Sequence, residues 1–502
     1  MQTVPTQEVQ IAAPSVAAST GATANFFGRL CTALFKPVDI SFLVAFRILF
    51  GGVMLWEVYR YFTHGWITRY YVEPALTFPY YGFSWVKPWP GSGMYVHFFV
   101  LGLAAACVSV GFLYRIAAPV FFLAFTYFFL LDQTRYLNHF YLVCLISFLM
   151  CFLPAERAFS VDALLRRKIR SAVVPAWTLW LLRAQVGIPH FFGGIAKLNR
   201  DWVQGGEPMR IWLSPLTKMP ALGHIFAADW VVYSFVYGGL MLDLLVVPLL
   251  LWRRTRLFAF VAAVVFNLIN AVIFEIGIFP WLMLGALLIF FPPDLMRRFA
   301  RAFMSPGEEF LDTKPSQVAV TPKSIAETST GLSLSTSQKF VAGLLAAYLA
   351  VQLIFPLRHY FYPGDVNWTE EGHNFSWHMK LRTKGGEAVF TVTHPHSGQT
   401  WTIKPDDYLE SHQVTKMTTK PDLVLLFGRY LAEEKRREGY ENVEVRARVM
   451  VSLNGRQPQL LIDPDVDLTK EQVSLLPARW IVPLTTPLTS RTEKQPQMDA
   501  DQ

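Results

Sequence analysis

Arg183, His190 and Lys197 recur at every seventh position of the segment WTLWLLRAQVGIPHFFGGIAKLNRDW (177–202). On a helix this spacing places them on one face, as a polar stripe along an otherwise apolar rod. Pro189 and Gly193-Gly194 lie just ahead of Lys197. Proline removes a backbone hydrogen bond, and glycine lets another chain or a ligand approach closely. Two readings of Lys197 follow. In one it is an interfacial lysine, its stem along apolar surface, its ammonium among headgroups and Trp202 as the aromatic anchor. In the other it is a base: burial disfavours the ammonium, so the free amine takes a proton, tuned by the His190 and Arg183 of the same stripe.

Other polar groups fall where lipid is expected, and each is a functional candidate because such groups are costly in hydrocarbon. Asn138-His139 open the apolar run in TRYLNHFYL (134–142), either as packing residues or as part of a site. Asn267 and Asn270 share a face of FNLINAVIFEIGIFPW (266–281), with Glu275 and Gly277 toward its outer end. Asp132 and Arg135, three apart, are expected to pair, as is Glu57 with Arg60 or Arg47. No metal site is predicted: there is no HExxH and no carboxylate pair at ligand spacing, and His394-x-His396 falls in a solvated turn. The glycine-to-lysine run at 193–200 ends an apolar helix instead of opening a soluble one, which removes a phosphate-loop reading. The cysteines Cys31, Cys107, Cys144 and Cys151 show no CxxC spacing, so neither a disulfide framework nor a structural zinc is expected.

The elements that must position these residues are set by composition. The 502 residues are 53% hydrophobic, 15% aromatic and only 16% charged, with mean hydropathy +0.31. Soluble proteins carry about 25% charged residues. This argues against a soluble enzyme, a disordered chain or a coiled coil, and for an integral membrane protein. A net charge of +8 and a pI near 9.2 might suggest nucleic acid, but the charges are placed otherwise. Residues 357–502 hold 18 basic against 20 acidic residues, and residues 1–356 hold 27 against 17. The apolar part carries the whole positive excess.

Segments of about 20 apolar residues, fewer inside a bundle, read as spans. Nine are found, near 40–61, 94–113, 115–132, 136–154, 175–196, 230–252, 257–274, 276–292 and 339–356. With the N-terminus in the cytoplasm, 17 Lys and Arg lie inside and 8 outside, and the tight clusters at 157–170 and 253–256 are all inside. Nine spans then put the C-terminal domain outside, in periplasm or lumen. Residues 1–35 read as a disordered tail without the pattern of a signal peptide. Residues 36–299 are a transmembrane catalytic domain of eight spans, 300–338 a Ser/Thr/Pro-rich cytoplasmic linker, 339–356 the ninth span and 486–502 a polar tail. In 357–485, a hairpin at 387–405, a strictly alternating strand at 443–451 followed by Asn454-Gly455, and an amphipathic helix at 422–440 predict a compact extramembrane, mostly β domain. The fold class is an α-helical polytopic membrane protein of about nine transmembrane helices with that C-terminal domain.

The segments KPVDISFLVAFRILFGGVMLWE (36–57), YLNHFYLVCLISFLMCFLPAERAFSVD (136–162) and LLRAQVGIPHFFGGIAKLNRDWVQG (181–205) resemble the vitamin K-dependent γ-glutamyl carboxylase family, the horizontally transferred transmembrane domain proteins. The similarity continues through FEIGIFPW (274–281), NWTEEGHNFSWHMKL (367–381) and VSLNGRQPQLLIDPDVDL (451–468). It runs from about 36 to 470, with separate motifs in one order. The resemblance implies a polytopic enzyme whose active site faces the lumen. It oxygenates reduced vitamin K, or a related naphthoquinol, with O₂ to the epoxide. The strong base so generated takes a γ-proton from a glutamyl side chain, and CO₂ adds to give γ-carboxyglutamate. The family's base is the lysine of a G-x-x-K-L-x-x-D-W pattern, matched by GIAKLNRDW (194–202), hence Lys197. The family's Asn-His pair maps onto Asn138 and His139, expected to hold the amine or the developing oxyanion. His190, Arg183, Asn270 and Asn267 are the candidates for holding the cofactor. The chain departs from the animal pattern at Ala196, where those enzymes carry a second lysine, and at Asn267, where they carry a histidine.

The expected partners are the lipid bilayer and a Glu-containing protein or peptide on the extracytoplasmic side, with no nucleic acid. Two alternatives stand beside this reading: a quinol epoxidase or oxidase without Glu carboxylation, and a non-catalytic lipid- or quinone-binding membrane protein in which Lys197 only snorkels.

Overall fold

A computed structural model describes residues 31–220, 223–273, 276–295, 297–299 and 334–488. The expected tails (1–35 and 486–502) and linker (300–338) lie, but for a few residues at their edges, outside the described residues, as does Glu275. Each of the nine apolar segments is helical: α1 (Ser41–Thr63), α2 (Gly93–Val110), α3 (Tyr114–Leu130), α4 (Asn138–Met150), α5 (Trp177–Ala196), α6 (Asp229–Leu251), α7 (Arg256–Ile273), α8 (Phe279–Leu287) and α9 (Thr336–Ile354). Five of these, α1, α2, α6, α7 and α9 with its extension, are long and apolar enough to cross a membrane, while α3, α4 and α8 are shorter. A short antiparallel ribbon of β1 (Pro37–Asp39) and β2 (Val173–Pro175) joins the N-terminal ends of α1 and α5.

The helices pack through apolar faces and a few polar ties. At Gly51 in α1 a Cβ would come within 2.7 Å of the Ser109 backbone in α2, so only glycine allows this approach. Glu57 pairs with Arg60 at 2.7 Å, one of its two expected partners. The other, Arg47, is buried and donates instead to the carbonyls of Ala155 (3.2 Å) and Phe159. The expected Asp132–Arg135 pair gives way to other partners. Asp132 accepts from the backbone N–H of Thr134 (2.8 Å) and from Gln413 Nε2 (3.4 Å), while the Arg135 guanidinium lies 3.7 Å over the Tyr70 ring. A short turn at 133–135 separates the two residues, so the geometry of a continuous helix is lost.

The C-terminal domain holds an antiparallel sheet in the order β4-β3-β5-β6, with β3 (Lys384–Thr393), β4 (Thr400–Ile403), β5 (Glu444–Leu453) and β6 (Gln459–Leu460). In β5, Val445, Ala447, Val449, Val451 and Leu453 are buried, as the alternation requires. Asn454 and Gly455 both take positive φ (52° and 76°), turning the chain from β5 toward β6. Two helices complete the domain, α10 (Ser411–Met417) and α11 (Pro421–Arg437). Leu423, Val424, Phe427 and Leu431 of α11 join the sheet's buried side in one core.

This domain is stitched to the helices. Phe78, from the α1–α2 connection, is buried in its core, and Gln413 donates to Leu76 O at 2.8 Å. Asp201, just past α5, accepts two bonds from Arg456 (2.6 and 2.7 Å) and one from Asn454 (2.8 Å). Burial alone would raise the Asp201 carboxyl, but the bonds from Arg456 and Asn454 outweigh it and hold the group below its ordinary 3.8. A depressed folded-state value means that this tie contributes fully above about pH 4 and is lost as pH falls through the lowered value. Arg456→Ala is expected to cost about 3 kcal/mol by leaving a half-buried carboxylate unpaired, read as a lower thermal midpoint at pH 7. The difference from wild type should shrink below pH 4; a constant difference would show that the ion pair is not its source.

Candidate active site

Lys197 follows the last residue of α5, and its own φ and ψ (−74°, −14°) are still near helical. The chain restarts as a one-turn helix, Arg200–Val203, capped by Asn199, whose side chain accepts from Trp202 N at 3.0 Å. Trp202 is fully buried, donates to Val236 O of α6 at 3.1 Å, and places its ring 5.5 Å from Lys197 Nζ. The two glycines ahead of Lys197 have packing roles. A Cβ at Gly194 would lie 2.5 Å from Leu244 of α6, and one at Gly193 would lie 2.8 Å from Met379. They bring α6 and the C-terminal domain against α5.

This approach delivers Asp243, near the middle of α6, to two members of the α5 stripe, His190 and Lys197. Lys197 Nζ donates to Asp243 Oδ2 at 2.6 Å and to Gly193 O at 3.3 Å. His190 Nδ1 lies 3.0 Å from Asp243 Oδ1. All three side chains are 6–7% exposed. An ionised carboxylate only accepts, so His190 Nδ1–H donates in this contact, and in the neutral tautomer Nε2 is left with a lone pair. Among the described residues His190 Nε2 has no hydrogen-bond partner, and neither has Asn267 Oδ1; Asn267 spends its amide N–H on Ala263 O at 2.8 Å.

His190, Lys197, Asp243, Asn267 and Asn270 line one cavity of about 480 Å³ between α5, α6, α7 and the start of α8, with largely apolar walls. The stripe is divided by this arrangement. Arg183, two turns earlier, turns its guanidinium to the carbonyls of Ile289 (2.9 Å) and Phe291 (3.2 Å), where it fastens the end of α8, and does not line the cavity. Asn138 and His139 stand behind the wall. Asn138 donates to His378 O at 3.0 Å and accepts from Tyr136. His139 packs on Phe279, a wall residue, at 5.9 Å between ring centroids.

Two contributions escaped the sequence reading. Asp243 is the sole acid in the interior of its span, in GLMLDLLVV (239–247), and the rule that flags intramembrane charge also covers it. Met379 and Lys380 close the cavity from the C-terminal domain. Their segment carries left-handed φ at Glu370, Phe375, Trp377 and Lys380, half of the eight such non-glycine residues described. Each costs roughly 1–2 kcal/mol, so backbone strain is concentrated where the C-terminal domain meets the cavity. No composition signal marks this. The segment is anchored by Glu370, which receives Arg382 and Lys384 (3.0 Å). Burial lowers the Lys384 ammonium to about 8 against the opposing pull of Glu370. Burial also lowers Lys380, whose ammonium rests 5.4 Å over the Trp212 ring. Among the described residues no group of three or more His, Cys, Asp or Glu is placed to hold a metal.

The chain was compared with known proteins. No solved structure gives a significant match. The family model for the HTTM domain matches residues 35–295, the part that carries α1 to α8 and the cavity. The model for the vitamin K-dependent gamma-carboxylase lumenal domain matches residues 337–487, from α9 to the end of the C-terminal domain. The first match alone spans more than half of the sequence and the second follows it in order, so the chain belongs to the vitamin K-dependent gamma-carboxylase family.

Proposed function

We propose that this chain is a vitamin K-dependent carboxylase-like enzyme in which Lys197 is the base that acts on a reduced naphthoquinone held in the apolar cavity. The observation that carries this reading is the Lys197–Asp243–His190 array in the cavity wall. When bound, the reduced cofactor supplies, through its oxygenation by O₂ to the epoxide, a base strong enough to take a glutamyl γ-proton, after which CO₂ adds to the carbanion. The residues present suit such a ligand: the unpartnered acceptors His190 Nε2 and Asn267 Oδ1 offer a place for the hydroxyl that Lys197 does not deprotonate, and the remaining wall is largely apolar.

The protein's share of the work is local. In its amine form Lys197 has two N–H donors, used by Asp243 Oδ2 and Gly193 O, which leaves one lone pair. A proton taken there gives an ammonium already neutralised by a carboxylate at 2.6 Å. In a water-poor site this stabilisation is worth more than in solution and needs no reorganisation. His190 Nδ1–H holds the other carboxylate oxygen, as the orienting member of a catalytic array does. Asn138 steadies the 377–380 segment through His378 O, and His139 supports Phe279. Arg183 braces α5 from below, and Asn270 extends the polar edge of the cavity beside Asn267. A Glu-containing substrate reaches the cavity past Met379 and Lys380, from the C-terminal domain. The distribution of basic loops supports a C-terminal domain outside and an N-terminus in the cytoplasm, the arrangement that follows if α1 to α9 all cross.

Purified protein given a reduced naphthoquinone, O₂, labelled bicarbonate and a Glu-containing peptide is expected to form epoxide and fix label. Epoxide alone would reduce the activity to quinol epoxidation, and neither product would leave a non-catalytic binder. Lys197→Ala is expected to abolish epoxide formation; a fully active variant would remove Lys197 from the role of base. Asp243→Asn is expected to lower the epoxidation kcat by roughly 10²–10⁴-fold with little change in quinol KM. An effect confined to KM would make Asp243 a ligand-binding residue instead.

A further inference from the structure

Gly238 and Gly239 sit in the interior of α6, where glycine is destabilising relative to alanine. The glycines of α5 are explained by close approach, but these two are not. A Cβ at Gly238 meets nothing within 4 Å, and one at Gly239 meets only Phe266 Cε2, at 3.9 Å. No protein atom fills the space they leave open, although both line the cavity that holds Lys197. On the facing helix, Val265 and Ile269 also line the cavity, yet they remain 51% and 36% exposed. A residue that is both cavity wall and outer surface stands at an opening. Deeper in, His190 and Asn267 are 6% and 2% exposed and each keeps one unpartnered polar atom. The cavity therefore has a polar inner end and an apolar outer end, the latter between two helices long and apolar enough to cross a membrane.

From this we infer that the gap between α6 and α7 at Gly238 and Gly239 is a lateral port that takes the isoprenoid tail of the quinol directly from the bilayer. The inference rests on the reading of the cavity as a quinol site. The hydroxyl-bearing ring sits at the polar inner end, beside the two acceptors. A flexible hydrocarbon tail suits the outer walls, where Phe235, Phe266, Val265 and Ile269 offer no charge. The glycine pair sets the width of the port, so it selects for the tail without touching the ring.

The test is Gly238→Phe, at a position where a Cβ meets no atom within 4 Å. It is expected to raise the KM for a hydroquinone carrying several isoprene units by roughly ten-fold or more, and to leave that for a tail-less dimethylnaphthohydroquinone within about two-fold. An equal effect on both substrates would place the glycines in the ring site or in folding, and no effect on either would show that the tail does not pass; both results overturn the port. If the wild-type protein turns over neither hydroquinone, the quinol-enzyme reading fails and the port is read by binding alone, from quenching of Trp202 and Trp212 by tailed and tail-less quinones. Loss of quenching by only the tailed quinone in Gly238→Phe supports the port. Equal quenching in both proteins, or none in either, overturns it, leaving a phospholipid acyl chain as the occupant.

Discussion

A lysine and an aspartate 2.6 Å apart, both nearly inaccessible inside an apolar helix bundle, set the constraint that the surrounding structure satisfies. Removing two charges from water costs several kcal/mol per ion, recovered only with close geometry and further hydrogen bonds. Each feature around the pair supplies one of these. Gly194 lets α6 come near enough for Asp243 to reach Lys197. His190 and the Gly193 carbonyl occupy the remaining polar valences. Trp202 covers the lysine from the side and is itself pinned to α6. A pair held this way is a poor source of stability, because apolar residues of the same volume would pack as well. Its place in the wall of a cavity accords with the proposed role in proton transfer.

The C-terminal domain is part of the same construction. Its strained 370–380 segment closes the cavity with Met379 and Lys380, and its β5–β6 turn grips Asp201, four residues beyond Lys197 in sequence. Asn454 links these two contacts, since it bonds Asp201 with its side chain and exchanges hydrogen bonds with Thr383. The loop that follows Lys197 and the segment that caps the cavity are thus tied to one turn.

Much of this architecture was legible in the sequence. Apolar runs located α1 to α9 as helices, five of them long and apolar enough to cross a membrane, because a helix in lipid must be apolar along its length. Strict alternation identified β5, and Asn454-Gly455 identified its turn, since both signals are local. The seven-residue spacing correctly put His190 and Lys197 on one side of α5. It also put Arg183 there, but a guanidinium two turns away has other carbonyls within reach, and periodicity does not tell which partner a side chain meets. Asp132 and Arg135 illustrate the same limit: the three-residue spacing presumes a helix, and the chain makes a turn instead. Asp243 lay within the rule for buried charge and its partner lay 46 positions earlier, a pairing that only the packing of α5 on α6 reveals. The cap at Met379 and Lys380 depends on left-handed backbone, for which these residue types carry no signal.

The two unpartnered acceptors on the cavity wall also bear on the end of a catalytic cycle. His190 is locked in one tautomer by Asp243, and Asn267 is locked in one amide orientation by Ala263 O. Neither can turn a donor toward the ligand. On the proposed reading, a reduced ring offers such a lone pair a hydroxyl proton, whereas its oxidised product offers only oxygens. Lone pair would then face lone pair in an apolar enclosure where such a mismatch is poorly screened. A wall of this kind would favour the reduced ligand over the oxidised one.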